Sequence, residues 1–261
     1  MILKKYLEQS WLYYKGQNSG FNLEEYLILK FSVPILGLIM YCIMASFGFQ
    51  TKDLTYWVIG NSFLLCTGTC VFTIGSCFSS ERYFGRLRSI IVSPYSKLVT
   101  ILEKGLFPVI ESFISIVIGF LIGGFVFSIN FSNIHIGLYL LIVLVGTFSA
   151  CGLGMVLGVL GMITSEMHFL LNTSSIVLAL LTGANFPITM LPSGIRFISY
   201  CLPLTRSIEA VNRMVLGENL NTIGSLIAME AVVGMLYILV SYLLLKRVEK
   251  LAIRKGVLEI F

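Results

Sequence analysis

Apolar residues fall into six long blocks along the chain, separated by short polar stretches. Residues 31–49, 56–78, 106–129, 136–163, 169–184 and 223–245 carry almost no charge. A helix needs about 20 apolar residues to cross the hydrocarbon core of a bilayer. Five blocks meet that length, and the shorter block at 169–184 can extend through Phe186. The pattern therefore predicts an all-α membrane protein with six transmembrane helices.

The polar stretches have patterns of their own. Leu3, Leu7, Trp11 and Tyr14 recur at spacings 4, 4 and 3, with Lys4, Lys5, Glu8 and Gln9 on the other faces. That spacing predicts an amphipathic helix over residues 2–14, suited to the headgroup plane. GQNSG at 16–20 breaks it, and Asn22 with Glu25 three positions on reads as a capping box for a second short helix. Residues 80–94, SERYFGRLRSIIVSP, make a helix-compatible insert. Its charges are Glu81, Arg82, Arg86 and Arg88, and Tyr83, Phe84, Leu87, Ile90 and Ile91 line one side. A sticky face beside a charged face predicts a docking helix. Residues 185–220 hold three of the six prolines, with apolar groups in short pieces at 195–198 and 208–216. Irregular backbone at membrane depth must be covered by protein or line a cavity. The expectation is a broken re-entrant hairpin on the outer side.

Composition removes the soluble classes. Of 261 residues, 57% are apolar and 12% charged, and the mean hydropathy is +0.92, above the balance of soluble domains. The spans leave no room for a soluble domain, so residues 1–261 read as one membrane domain. With the amino terminus inside, the inside segments hold Lys4, Lys5, Lys15, Lys30, Arg82, Arg86, Arg88, Lys97, Lys104, Lys246, Arg247, Lys250, Arg254 and Lys255. These are fourteen of the 18 basic residues. Lys52, Arg196, Arg206 and Arg213 fall outside. The positive-inside rule then predicts both termini in the cytoplasm. The net charge of +5 is a topology signal, with no nucleic acid implied. The charged first thirty residues lack the apolar core of a cleavable leader.

Candidate chemistry is sparse. Five of the six cysteines lie inside apolar blocks, and Cys66 and Cys70, one turn apart, have no further ligand nearby; they read as packing residues. No GxxxxGK[ST] phosphate loop and no HExxH occur. His135 and His168 stand apart from any cluster, and Asp53 is the only aspartate. The chain reads as no enzyme, without metal or cofactor of its own. Glu111 and Glu230 lie inside spans, where an acid is costly unless paired or wet. Arg206 and Arg213 are the expected partners of Glu230, and Glu111 reads as a structural ion-pair residue; a transport role for Glu111, and binding of a cationic part of a substrate by Glu230 at an outer exit, are the sharper alternatives. Gly154 and Gly158 form a GxxxG step, read as packing within the subunit, with dimerisation as the sharper alternative.

At this point the chain resembles the membrane subunit of an ABC-2 type exporter. That family has, after its second span, a segment of the form E-R-E-x-G-T-L-E-x-L-L-x-S-P. Glu81, Arg82, Gly85, Leu87, Ser93 and Pro94 stand where that pattern wants them, while Tyr83, Arg86 and Arg88 replace its other polar positions. Before the last span the family often carries Pro-Leu-Thr and a polar helix, matched here by Pro203, Leu204, Thr205, Glu209, Ala210, Arg213 and Gly217. The resemblance implies an ATPase-coupling segment at 80–97, with Glu81, Arg82, Gly85, Arg86, Leu87, Arg88, Ile91, Ser93 and Pro94. It implies an outer hairpin or exit with Pro203, Thr205, Arg206, Glu209, Arg213 and Glu230. Two separate ABC ATPase subunits would bind ATP and Mg and dock below, and a second permease copy or sibling would complete the path. The implied setting is a bacterial cell membrane, and the implied task is export of an amphiphilic drug, antibiotic, peptide or lipid-like substrate. A polysaccharide or lipid-linked glycan permease, an ATP-independent transporter or channel, and an assembly or immunity protein are the competing readings.

Overall fold

The computed structural model describes residues 2–18, 20–86, 89, 93, 96–129, 134–164 and 166–255. The described residues are mainly helical, without strands. Helix α1 (Ile2–Gln17) covers the predicted amphipathic segment. Helix α2 (Leu23–Phe49) starts at the predicted box, where the Asn22 backbone N–H donates to Glu25 Oε2 at 3.1 Å. Its backbone widens into a π turn at Ile28–Ser32. Pro34 stands just beyond and brings no N–H to the Lys30 carbonyl, so the turn widens where the regular ladder would fail.

Helix α3 (Thr55–Gly75) begins behind Asp53, whose Oδ1 accepts the Thr55 backbone N–H at 3.0 Å, and contains a second π turn at Thr67–Val71. Short α4 (Cys77–Tyr83) follows. Then come α5 (Lys97–Val126), α6 (Ile136–Leu160) and α7 (Met167–Leu181). A 3-10 turn at Ile188–Met190 leads to α8 (Ser193–Cys201) and α9 (Thr205–Val215). Helix α10 (Leu220–Lys255) closes the chain.

Five of the six expected spans are helices long and apolar enough to cross a membrane. The remaining one is α7, which has 15 residues and so reaches only about 22 Å, against roughly 30 Å of hydrocarbon. Its block stops at Leu181 because the chain turns back at Thr182 and Gly183, the latter at φ +80°.

Helix α3 is the centre of the bundle, with 72% of its most apolar window buried, against 11% for α2 and 17% for α10. Lipid tails are as apolar as leucine, so close packing rather than water exclusion holds such helices together. Small residues make it happen. A Cβ at Gly152 would stand 2.9 Å from the Gly234 carbonyl oxygen, and one at Gly234 would stand 3.0 Å from Ser149 Cα. These two glycines let α6 and α10 touch backbone to backbone. Gly154 and Gly158 face α3 instead, with Ile74 Cβ at 3.1 Å and the Ile74 carbonyl oxygen at 2.8 Å from where their Cβ atoms would be. The GxxxG step packs inside the subunit.

The molecule has two chemically different ends. Cys77, Phe78, Ile101, Met162, Leu245 and Val248 share one cluster, which brings α4, the start of α5, the end of α6 and the last turns of α10 to the basic end. Leu54, Tyr139, Ala184, Leu204 and Ile208 belong to the main core and mark the opposite end, where the re-entrant segment folds.

Candidate functional site

At the basic end, the Glu81-Arg82 pair forms a joint. Helix α4 ends in two crossed bonds: the Gly85 N–H donates to the Arg82 carbonyl at 2.9 Å, and the Arg86 N–H donates to the Glu81 carbonyl at 2.8 Å. This is a Schellman ending, which needs a left-handed residue after the cap, and Gly85 supplies it at φ +69°. No described atom lies within 4 Å of a Cβ placed there. The glycine is needed for its backbone, not for close approach. The expected continuous helix over 80–97 is therefore interrupted: α4 stops at Tyr83, and Glu81 and Arg82 belong to the helix end above Gly85. Of the other expected coupling residues, Leu87, Arg88, Ile91 and Pro94 lie outside the described residues. Ser93 donates its N–H to the Ser89 carbonyl at 3.1 Å, one helical turn.

The two side chains of the joint point to different helices. The buried Glu81 carboxylate is shared by Lys104 of α5 and by Arg86, whose Nε lies 2.8 Å from Oε2. Arg82 reaches α6: Nη2 donates to the Gly161 carbonyl at 2.8 Å and Nη1 to the Thr164 carbonyl at 2.9 Å. A cation on the unsatisfied carbonyls of a helix end is favourable twice, by hydrogen bonds and by the helix dipole. Just below, Tyr83 and Phe84 stand 86% and 64% exposed beside a groove of about 710 Å³ bounded by Arg82, Thr164 and His168.

A second polar group ties α1 and α2 to α5. Lys30 Nζ lies 3.4 Å from Glu111 Oε1, and the Tyr14 hydroxyl donates to Glu111 Oε2 at 3.4 Å. Tyr14 and Tyr26 share a short hydroxyl contact. Burial pushes the Tyr14 phenol well above its ordinary range, so it stays a donor. Glu111 is thus ion-paired with Lys30 and bonded by Tyr14, neither of which its own neighbourhood in sequence announces.

At the opposite end, the chain after α7 is irregular yet buried. Ala184 presses on α3 so closely that a Cβ at Gly60 would fall 2.3 Å from its carbonyl oxygen. Its backbone polar groups are met by α3 side chains. Tyr56 donates to the Gly183 carbonyl, and Trp57 Nε1 donates to the Asn185 carbonyl at 2.9 Å. Buried backbone requires such partners. Leu202 is extended before Pro203, as a residue preceding proline prefers. Leu204 then takes φ +73°, and Thr205 Oγ1 donates to the Ser199 carbonyl at 2.7 Å, folding α9 back on α8.

Glu230 holds this turn. Fully buried, it accepts the backbone N–H of Leu204 on Oε1 at 2.6 Å and that of Arg206 on Oε2 at 3.2 Å, and the Ser149 hydroxyl donates to Oε1. It caps the start of α9. The expected ion pair with Arg206 or Arg213 is corrected accordingly. The Arg206 guanidinium donates to the Tyr200 carbonyl at 2.5 Å and lies over the Tyr200 ring. Arg213 pairs with Glu209 at 2.5 Å and Glu218 at 3.3 Å. Gly217 repeats the ending seen at Gly85, with φ +73° and the Glu218 N–H donating to the Arg213 carbonyl at 3.1 Å.

Among the described residues, no group of three or more His, Cys, Asp or Glu side chains is placed to hold a metal ion. The family described as ABC-2 type transporter matches residues 12–215, a stretch that includes α2 to α9, the first motif, and the second from Pro203 to Arg213. No curated protein gives a significant match.

Proposed function

The chain belongs to the ABC-2 type transporter family, and from that premise we propose that it is the membrane-spanning permease of an ATP-driven exporter of amphiphiles. As a multi-pass membrane component of an ABC transporter it associates with ABC ATPase subunits. In our reading there are two, holding ATP and Mg, and a second permease copy or sibling completes the path. The basic end faces the cytoplasm of a bacterial cell, supported by the gathering of Lys104, Arg82, Arg86 and Lys246 at that end.

One observation carries the reading. The last turn of α4 is tied to two spans at once, to α5 through Glu81–Lys104 and to α6 through Arg82, and Arg86 beyond Gly85 is tied to the same Glu81. A motor docking on Tyr83, Phe84 and the residues beyond Gly85 would move both spans together, shifting the bundle between inward and outward states. The cargo we assign is an amphiphilic drug, antibiotic, peptide or lipid-like molecule. Lys30, Glu111 and Glu230 are already matched by protein groups, so the bundle suits a cargo that brings its own apolar surface more than a bare ion.

The test separates docking from coupling. In cells carrying the partner ATPases, Arg82→Gln is expected to leave their co-purification intact while transport-stimulated ATP hydrolysis falls about tenfold or more, the scale of two charge-assisted bonds. Phe84→Asp is expected to abolish co-purification. Full stimulation in Arg82→Gln would refute the joint as the coupling path.

A further inference from the structure

A cavity of about 440 Å³ opens beside the joint, between α1, the junction of α3 with α4, and α5; Tyr13, Gly16, Thr73, Glu81, Arg86 and Lys104 are among its walls. Its charges do not cancel. One carboxylate, Glu81, is shared by two cations, Arg86 and Lys104. Donors remain to be used. Arg86 spends only Nε on Glu81, and its side chain is 63% exposed. No hydrogen bond from its two Nη groups to a described residue is seen, and its guanidinium lies over the Phe84 ring, 5.0 Å from the centroid. Lys104 spends one N–H on Glu81 and lies 4.9 Å from the Tyr13 ring centroid. A guanidinium fork beside an ammonium suits a tetrahedral phosphate.

The rim of the cavity is apolar. Leu12 lines it and is 66% exposed, next to Trp11 at 51% and Leu7 at 46%. Trp11 packs on Phe107 of α5 with ring centroids 5.3 Å apart, which holds α1 against the bundle at the level where a span begins. Exposed Lys4, Lys5 and Lys15 lie on the same helix. An amphipathic helix of this kind sits at the boundary of headgroups and acyl chains. A soluble anion would use the cations and ignore Leu12 and Trp11. A phospholipid uses both.

We propose that this cavity binds the phosphate of an anionic phospholipid, with Arg86 and Lys104 holding the phosphate and Leu12 receiving the glycerol and first acyl carbons. The bound lipid would brace α1 against the Glu81 joint. Gly16 offers a test that leaves the joint untouched, since a Cβ there meets no described atom within 4 Å. Leucine is also the better helix former.

The experiment is native mass spectrometry of the purified chain, titrated with phosphatidylglycerol or phosphatidylcholine. Retention of one phosphatidylglycerol per chain is expected, preferred over phosphatidylcholine by about five- to twenty-fivefold, at about fivefold per cation. Gly16→Leu and Leu12→Glu should each remove the preference while thermal melting stays unchanged. Should either variant fail to fold, the other decides. Equal retention of the two lipids, or full preference in both variants, would overturn the proposal. Complete displacement by inorganic phosphate would overturn the lipid assignment and leave a site for a free anion. The measurement needs no ATPase, so it stands or falls apart from the transport reading.

Discussion

Glu230 has both carboxylate oxygens committed, one to the Leu204 N–H and the Ser149 hydroxyl and the other to the Arg206 N–H. A carboxylate can accept all three because it has only lone pairs to offer. Glutamine keeps the shape but turns an amide donor toward one of these donors. Glu230→Gln should therefore lower the stability of the solubilised protein by about 1–3 kcal/mol, the cost of a buried unsatisfied group, seen as a drop in melting temperature. Loss of selected substrates with melting unchanged would show instead that Glu230 reads cargo. The sequence flagged this acid as one that needs a partner, and it offered arginines. It could not offer the partner found, because a backbone N–H has no letter of its own and becomes available only when Leu204 turns left-handed. Gly85 is a similar case. Its place in the motif was legible, while its reason lay in a backbone angle that residue spacing does not encode.

Helices carry the second kind of information. The long apolar blocks gave the apolar parts of α2, α3, α5, α6 and α10, since twenty uncharged residues have few other uses, but α2 and α5 start eight and nine residues before their blocks and α10 runs ten residues past its own. Block 169–184 looked like the rest, yet α7 is cut short by a turn that Tyr56, Trp57 and Asn61 of α3 stabilise from far away in the chain. The two π turns were not read from the sequence: the first precedes Pro34, and in the second the Thr69 hydroxyl meets that of Ser112 on α5 at 2.5 Å. Small residues on α6 were legible, but not their division between α10 and α3. That division gives a test. In Gly158→Leu the new side chain would start 2.8 Å from the Ile74 carbonyl oxygen, a backbone atom that cannot swing away. The expected loss is about 1–3 kcal/mol or more, with poor recovery of folded protein from membranes. Gly137→Leu, where no described atom lies within 4 Å, should be recovered normally. Equal recovery would mean that α3 and α6 are not packed as described.

On the scale of the whole molecule, Arg82, Arg86, Lys104 and Lys246 gather at one end and the re-entrant segment at the other, and this orientation is what the proposed direction of transport rests on. A native reporter exists. Cys201 is exposed near the end of α8, whereas Cys42, Cys66, Cys70 and Cys77 are buried. A membrane-impermeant maleimide should label intact cells at Cys201 and lose that label in Cys201→Ser. A cysteine placed at Asn18 in the Cys201→Ser background should react only after the cells are opened. The reverse pattern would invert the topology. The clamp of Arg82 on the end of α6 has a further consequence. Apolar faces in contact attract without direction, so they can slide past one another under load. A guanidinium forked across two carbonyls, the Gly161 and Thr164 oxygens, bears tension as well as compression. In the proposed transport cycle the same linkage would drive α6 one way and haul it back on the return, with no separate spring.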